Sequence, residues 1–173
     1  MTDRSLTSSD KSALSYLEAR DRRHDGLAQY LSQGHRATIF LSLNIPGSEK
    51  SPPGAQALYH GLLGELVATF PGLRILRTAS DLLGPYAIMT VDLDPMVVKK
   101  HCIILETGHP AARLADLDVY AADGVQIGRQ ALALPARACL LCGAPAVDCM
   151  RSRAHPQDDV IAKANELLAD FRT

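Results

Sequence analysis

The order in which two hydrophobic periodicities alternate constrains this chain more than any other feature. Residues 37–43, Ala-Thr-Ile-Phe-Leu-Ser-Leu, have the β-branched and aromatic character of a strand, and Asn44-Ile45-Pro46-Gly47 breaks the run. Residues 55–70 then repeat leucine at helical spacing, through Leu58, Leu62, Leu63 and Leu66. Two alternating runs follow, 73–78 and 86–93, joined across a turn at Leu83-Gly84-Pro85. Asp94 is a helix cap with Pro95 in the first turn, 96–105 fill that helix, and 114–121 return to a strand. The middle of the chain therefore spells βαββαβ, a split arrangement in which two helices cover one face of an antiparallel sheet and leave the other face free.

Elements flank this unit on both sides. A helical pattern over 9–32 precedes it, with Ala13, Leu14, Leu17, Leu27 and Leu31 near one stripe and Gly34 as its stop. Asp123-Gly124 folds the last strand back as a hairpin through 125–128. A cysteine-rich loop over 139–155 leads to a C-terminal helix over 156–172. With 173 residues the chain suits one domain, 1–173, of the α+β class, ferredoxin-like or palm-like in its sheet.

Charge narrows the class of partner. Lysine and arginine number 18 against 19 acids, so no global field draws the chain to nucleic acid or membrane, and an anion site must be a local cluster. The first ten residues lack the basic start and apolar run of a leader, and no apolar stretch reaches the ~20 residues that span a bilayer. A cytoplasmic protein is expected, where cysteines speak for metal or redox chemistry.

Asp116-Leu117-Asp118 lies within a strand, so both carboxylates leave one face about 7 Å apart along the backbone. Such a pair suits Mg²⁺, held by carboxylates and phosphate oxygens, as in phosphoryl and nucleotidyl transfer. Arg113 just upstream and Arg129 across the hairpin would serve a phosphate there. The loop carrying Asn44, Gly47 and Lys50 leaves the first strand and could cradle a polyphosphate with backbone amides and one cation, although it matches no P-loop pattern. His109 is a candidate proton shuttle or phosphate contact. Lys99, Lys100, Arg151 and Arg153 read as solvated charges, and Cys102 as small core filler.

Cys139-x2-Cys142-x6-Cys149-x5-His155 offers three thiolates and an imidazole, the donors of a tetrahedral zinc centre. Four protein ligands leave no open position, so the expected Zn²⁺ is structural and staples the C-terminal helix to the sheet.

Several segments taken together resemble the citrate lyase holo-acyl-carrier-protein synthases, also called apo-citrate lyase phosphoribosyl-dephospho-CoA transferases. They are Ala19-Arg20-Asp21-x-Arg23, Leu43-Asn44-Ile45-Pro46-Gly47 with Lys50, Gly84-Pro85, Arg113-Leu114-Ala115-Asp116-Leu117-Asp118-Val119, Leu134-Pro135 with Arg137-x-Cys139-Leu140-x-Cys142, and Arg151-Ser152-Arg153-x-His155. Ala112 and Ala115 depart from the glycine and the bulky residue of the family pattern. The resemblance implies transfer of a phosphoribosyl-dephospho-CoA group from 2'-(5''-triphosphoribosyl)-3'-dephospho-CoA to a serine of the acyl carrier subunit of citrate lyase, with pyrophosphate leaving. Asp116 and Asp118 would then hold Mg²⁺, and Asp118, Asp116 and His109 stand as alternatives for the general base. The rival readings are a palm-like nucleotidyltransferase acting on another nucleotide and a zinc-knuckle module that docks nucleic acid through Arg151 and Arg153.

Overall fold

The computed structural model describes residues 8–171, with side chains from residue 14 onward. Helix α1 (Ser8–Leu31) precedes strand β1 (Ala37–Leu43), helix α2 (Ala55–Thr69), strands β2 (Arg74–Asp81) and β3 (Gly84–Val91), and helix α3 (Pro95–Gly108). A 3₁₀ turn (Pro110–Leu114), strand β4 (Ala115–Ala121), the two-residue strand β5 (Gln126–Ile127) and a second 3₁₀ turn (Arg129–Leu132) follow. Helices α4 (Ala146–Ser152) and α5 (Gln157–Ala169) complete the described residues. The five strands run in the order β2-β3-β1-β4-β5, and every neighbouring pair is antiparallel. The result is a mixed α+β molecule in which each of the two βα crossovers steps over a strand belonging to the other.

Strand alternation sets the core. Ile39 and Leu41 of β1, Ala87 and Met89 of β3, and Leu117 and Val119 of β4 are buried in one cluster with Leu58, Leu62 and Leu66 of α2 and Val98 and Cys102 of α3. Burying a large aliphatic side chain contributes about 1.5–3 kcal/mol, so this layer supplies most of the drive to fold. Asp94 caps α3 by accepting hydrogen bonds from the backbone N–H of Met96 (2.8 Å) and Val97 (3.3 Å), with Pro95 next to it as the sequence indicates. Helix α5 closes the same core with Ala164, Leu167 and Leu168.

The opposite face is not free. Helix α1 lies across it, and Leu27 packs with Tyr86 and Ile88 beside Tyr30, Leu31, Phe40 and Tyr120. What fixes α1 is polar as well as apolar: Arg23 donates from Nε and Nη2 to Asp81 at 2.9 and 2.6 Å, donates from Nη2 to the Gly84 carbonyl at 2.5 Å, and stacks 4.5 Å over the Tyr86 ring. Leu14 and Leu17 of the expected apolar stripe are exposed, so the stripe alone misplaces the contact. The cysteine-rich segment is also not all loop, since α4 lies inside it. Lys99 is buried at 5 % exposure rather than solvated.

Candidate active site on the fourth strand

Alternation along β4 sends Ala115, Leu117 and Val119 into the core and Asp116, Asp118 and Tyr120 to the other face, where they sit opposite Ser42, Phe40 and Thr38 of β1. Asp116 receives Arg137 Nη2 at 3.1 Å, and Asp118 accepts from Gln126 Nε2 at 2.7 Å. Burial, then the neighbouring Asp116 carboxylate, push the Asp118 carboxyl up to about 6, against the pull of Lys99 and the Gln126 hydrogen bond. Burial and the same two carboxylates raise the Tyr120 phenol to about 12. Of the two acids, Asp116 is paired with Arg137, whereas Asp118 makes no ion pair among the described residues.

The outer edge of β4 is closed by side chains before β5 begins. Leu117 donates its N–H to Glu106 Oε1 (2.9 Å), its carbonyl accepts from Lys99 Nζ (2.6 Å), and the Ala115 carbonyl accepts from Arg137 Nη1 (2.9 Å). Bare edge groups are thereby satisfied without a further strand. Glu106, 2 % exposed, also takes Arg137 Nη2 at 3.0 Å and Arg129 Nη2 at 3.6 Å. Arg137 thus joins the buried carboxylate of α3 to Asp116 on the opposite face. Sequence periodicity does not single out Glu106 or Lys99. The available signal is that the two lie seven residues apart on the stripe of α3 that also carries Cys102, where charges are out of place unless they are paired.

The remaining candidates fall into distinct settings. Arg113 uses Nη2 to hold the carbonyls of Ala138 (3.2 Å) and Cys139 (2.8 Å), which ties β4's approach to the cysteine segment. Arg129 faces Glu106, and both line a groove of about 490 Å³ with Arg113 and Arg137. Lys50 donates to the Ile45 carbonyl of its own loop (2.6 Å), and burial lowers its ammonium's affinity for the proton. His109 Nδ1 accepts from the Ala111 N–H (3.1 Å), capping the 3₁₀ turn, and its ring meets Phe171 edge-on. Arg113 and Arg129 therefore share a groove that Lys50 and His109 do not line.

A larger groove of about 970 Å³ lies between the Asn44–Gly47 loop and the cysteine segment. Asn44 and Gly47 face it, as do Arg113 and Arg137. Gly47 has φ +84°, a backbone conformation that favours glycine, and a Cβ there would also fall 2.9 Å from Ile161 Cδ1 of α5 and push that side chain aside.

Cys139, Cys142, Cys149 and His155 converge on the other side of this groove. One donor atom from each lies within 4.8 Å of every other, with Cys142 Sγ 3.5 Å from Cys149 Sγ and 3.2 Å from His155 Nε2. Burial raises the Cys139 thiol, but the Leu141 and Cys142 amides and adjacent thiols outweigh it and bring it to about 7. Its hydrogen bond with Cys142, then burial, push Cys149 to about 12. Short α4 delivers Cys149, and Arg153 ends that helix in the left-handed region at φ 50°. Cys102 stays apart, fully buried on the core side of α3.

Comparison with known proteins adds lineage to this geometry. A family model described as apo-citrate lyase phosphoribosyl-dephospho-CoA transferase matches residues 12–171. A Vibrio cholerae protein named probable apo-citrate lyase phosphoribosyl-dephospho-CoA transferase (strain ATCC 39315 / El Tor Inaba N16961) is 31% identical over 148 residues, 83% of each chain. The Citrobacter koseri protein named apo-citrate lyase phosphoribosyl-dephospho-CoA transferase is 29% identical over 158 residues, 89% of this chain and 86% of the relative. Protein CitXG of Leuconostoc mesenteroides subsp. cremoris is 29% identical over 160 residues, 90% of this chain and 34% of that longer one.

Proposed function

The chain belongs to the apo-citrate lyase phosphoribosyl-dephospho-CoA transferase family, and on that premise we propose that it attaches the phosphoribosyl-dephospho-CoA group to a serine of the apo citrate lyase acyl carrier protein. The donor in this reading is 2'-(5''-triphosphoribosyl)-3'-dephospho-CoA. The serine oxygen bonds to the phosphorus next to the ribose, the bond from that phosphorus to the outer pyrophosphate breaks, and the serine gives up its proton. Catalysis of such a step rests on charge placed where the leaving pyrophosphate becomes more negative.

The observation that carries this reading is the carboxylate pair on one face of β4, with Arg137 bonded to Asp116 and lining both adjoining grooves. Asp116 and Asp118 would hold Mg²⁺, and the fit rests on a pair whose second member is already pushed to about 6 by burial and its neighbour. When bound, that ion supplies positive charge to the phosphate oxygens. Arg113 and Arg129 add fixed charge from the smaller groove, and Lys50 shapes the loop of Asn44 and Gly47 by its bond to Ile45. The strand order β2-β3-β1-β4 supports a palm-like sheet as the platform.

Cys139, Cys142, Cys149 and His155 would hold one structural Zn²⁺. Four donors within 4.8 Å of one another suit a tetrahedral ion, whose Zn–S bonds of about 2.3 Å set donors roughly 3.8 Å apart. With all four positions protein-filled, its part is to fix α4 and the groove wall.

A continuous assay of pyrophosphate release tests the transfer reading. Release should need the donor, the apo carrier and Mg²⁺ together, and should disappear when the acceptor serine is alanine. Release that is indifferent to the carrier would point instead to hydrolysis or to a different acceptor.

A further inference from the structure

We propose that the 970 Å³ groove between the Asn44–Gly47 loop and the cysteine segment seats the dephospho-CoA arm of the donor, while the triphosphate end lies at Asp116 and Asp118. This placement rests on the transfer reading above, since it presumes that donor. Three observations carry it.

The groove is linked to the carboxylate pair through Arg137 and the start of β4. Arg137 lines it and reaches Asp116 at 3.1 Å, and the Asn44 N–H bonds to the Leu114 carbonyl two residues before Asp116. Arg137 is thus the shared point between the groove and the carboxylate pair, whose own side chains do not line it.

The lining matches an anionic, partly apolar arm. Pro46, Leu114, Leu140 and Val160 give apolar wall, and Met150, 74 % exposed, offers an adaptable thioether. Arg153 lines the same space, and no ion pair or side-chain hydrogen bond holds it among the described residues, so a diphosphate would give it a counter-ion.

Size and shape favour the small molecule over the carrier. About 970 Å³ is at the upper end of small-molecule pockets, typically roughly 300–1,000 Å³, whereas a protein partner needs a broad surface of about 800 Å² a side. The cysteine cluster then forms one wall of a binding site, because Cys139, Cys149 and His155 line the groove.

Calorimetric titration of the full chain with 3'-dephospho-CoA is the test. Wild type should bind it, Arg153→Ala should bind about tenfold or more weakly, and Val160→Trp, which fills the groove, should lose binding while keeping the wild-type circular dichroism spectrum. Asp118→Asn should lose transfer and keep dephospho-CoA affinity, which separates the arm site from the chemistry. If dephospho-CoA binds neither wild type nor variants at millimolar concentration, or binds all of them equally, the groove is not its seat. Variants that raise KM for the carrier alone would assign the groove to the carrier and overturn the proposal. Groove-dependent binding without any transfer would leave this inference standing and remove the function it rests on.

Discussion

Asp118 joins the chemistry of the site to the stability of the fold. Its carboxyl stands at about 6 against an ordinary 3.8, because burial and then Asp116 disfavour the charge. The folded state therefore holds its proton more tightly than the unfolded chain does. Asp118 contributes stability that is full below about 3.8 and lost as pH rises through about 6. In magnesium-free buffer Asp118→Asn should flatten that part of the pH–stability curve and raise the melting temperature at pH 7. Millimolar Mg²⁺ should raise the melting temperature of wild type and leave the variant's unchanged. Transfer by Asp118→Asn should fall by about a hundredfold or more, as when a charge-stabilising group is removed. Glu106 is the converse case, a buried anion whose charge is needed. Glu106→Gln keeps an acceptor for Leu117 but takes the carboxylate from Arg129 and one of two carboxylates from Arg137, and should cost on the order of 3 kcal/mol in urea unfolding. A loss under ~0.5 kcal/mol would show that the arginines find other partners. The carboxylate pair was legible in the alternation of 114–121, whereas the charge network behind it was not, because Glu106 meets Arg129 and Arg137 only through the tertiary fold.

At the scale of elements, the pattern of strands and helices from β1 to β4 was readable because each buries a strict period: Ile39, Leu41 and Leu43 on β1, Leu58, Leu62 and Leu66 on α2. The position of α1 was not, since its attachment rests on Arg23 and Asp81, 58 residues apart in the chain. Arg23→Ala should therefore destabilise by about 2 kcal/mol, the scale of a lost charge-assisted contact, and amide exchange should speed in α1 while β1 and β3 keep their protection. Uniform exchange through both would mean that α1 and the sheet unfold as one unit. Helix α4 escaped notice because Gly143 and Pro145 before it and Arg153 after it leave only a seven-residue helix in a segment punctuated like a loop. Elemental analysis should find about one zinc per chain in wild type and Cys102→Ser and none in Cys142→Ser, which should also lose α4. An active wild-type chain free of zinc would remove the metal from the account.

For the whole molecule, a formal charge of −1 gives no long-range pull on an anionic donor, so recognition has to come from the arginines gathered around β4 and the cysteine segment. Two grooves meet at Arg137, one beside Glu106 and Arg129, the other beside Asn44 and Arg153. No helix among the described residues is long and apolar enough to cross a membrane. The interleaved sheet makes the site possible, because β4 lies against β1 and both deliver their ends to the same place: β1 leads into Asn44 and Gly47, and β4 presents Asp116 and Asp118. Intact-mass spectrometry of apo citrate lyase acyl carrier protein, incubated with this chain, Mg²⁺ and triphosphoribosyl-dephospho-CoA, tests the central claim most directly. The account predicts a gain equal to one phosphoribosyl-dephospho-CoA group on the acceptor serine, absent with Asp116→Asn or Asp118→Asn, and a carrier of unchanged mass with the wild-type chain would contradict it.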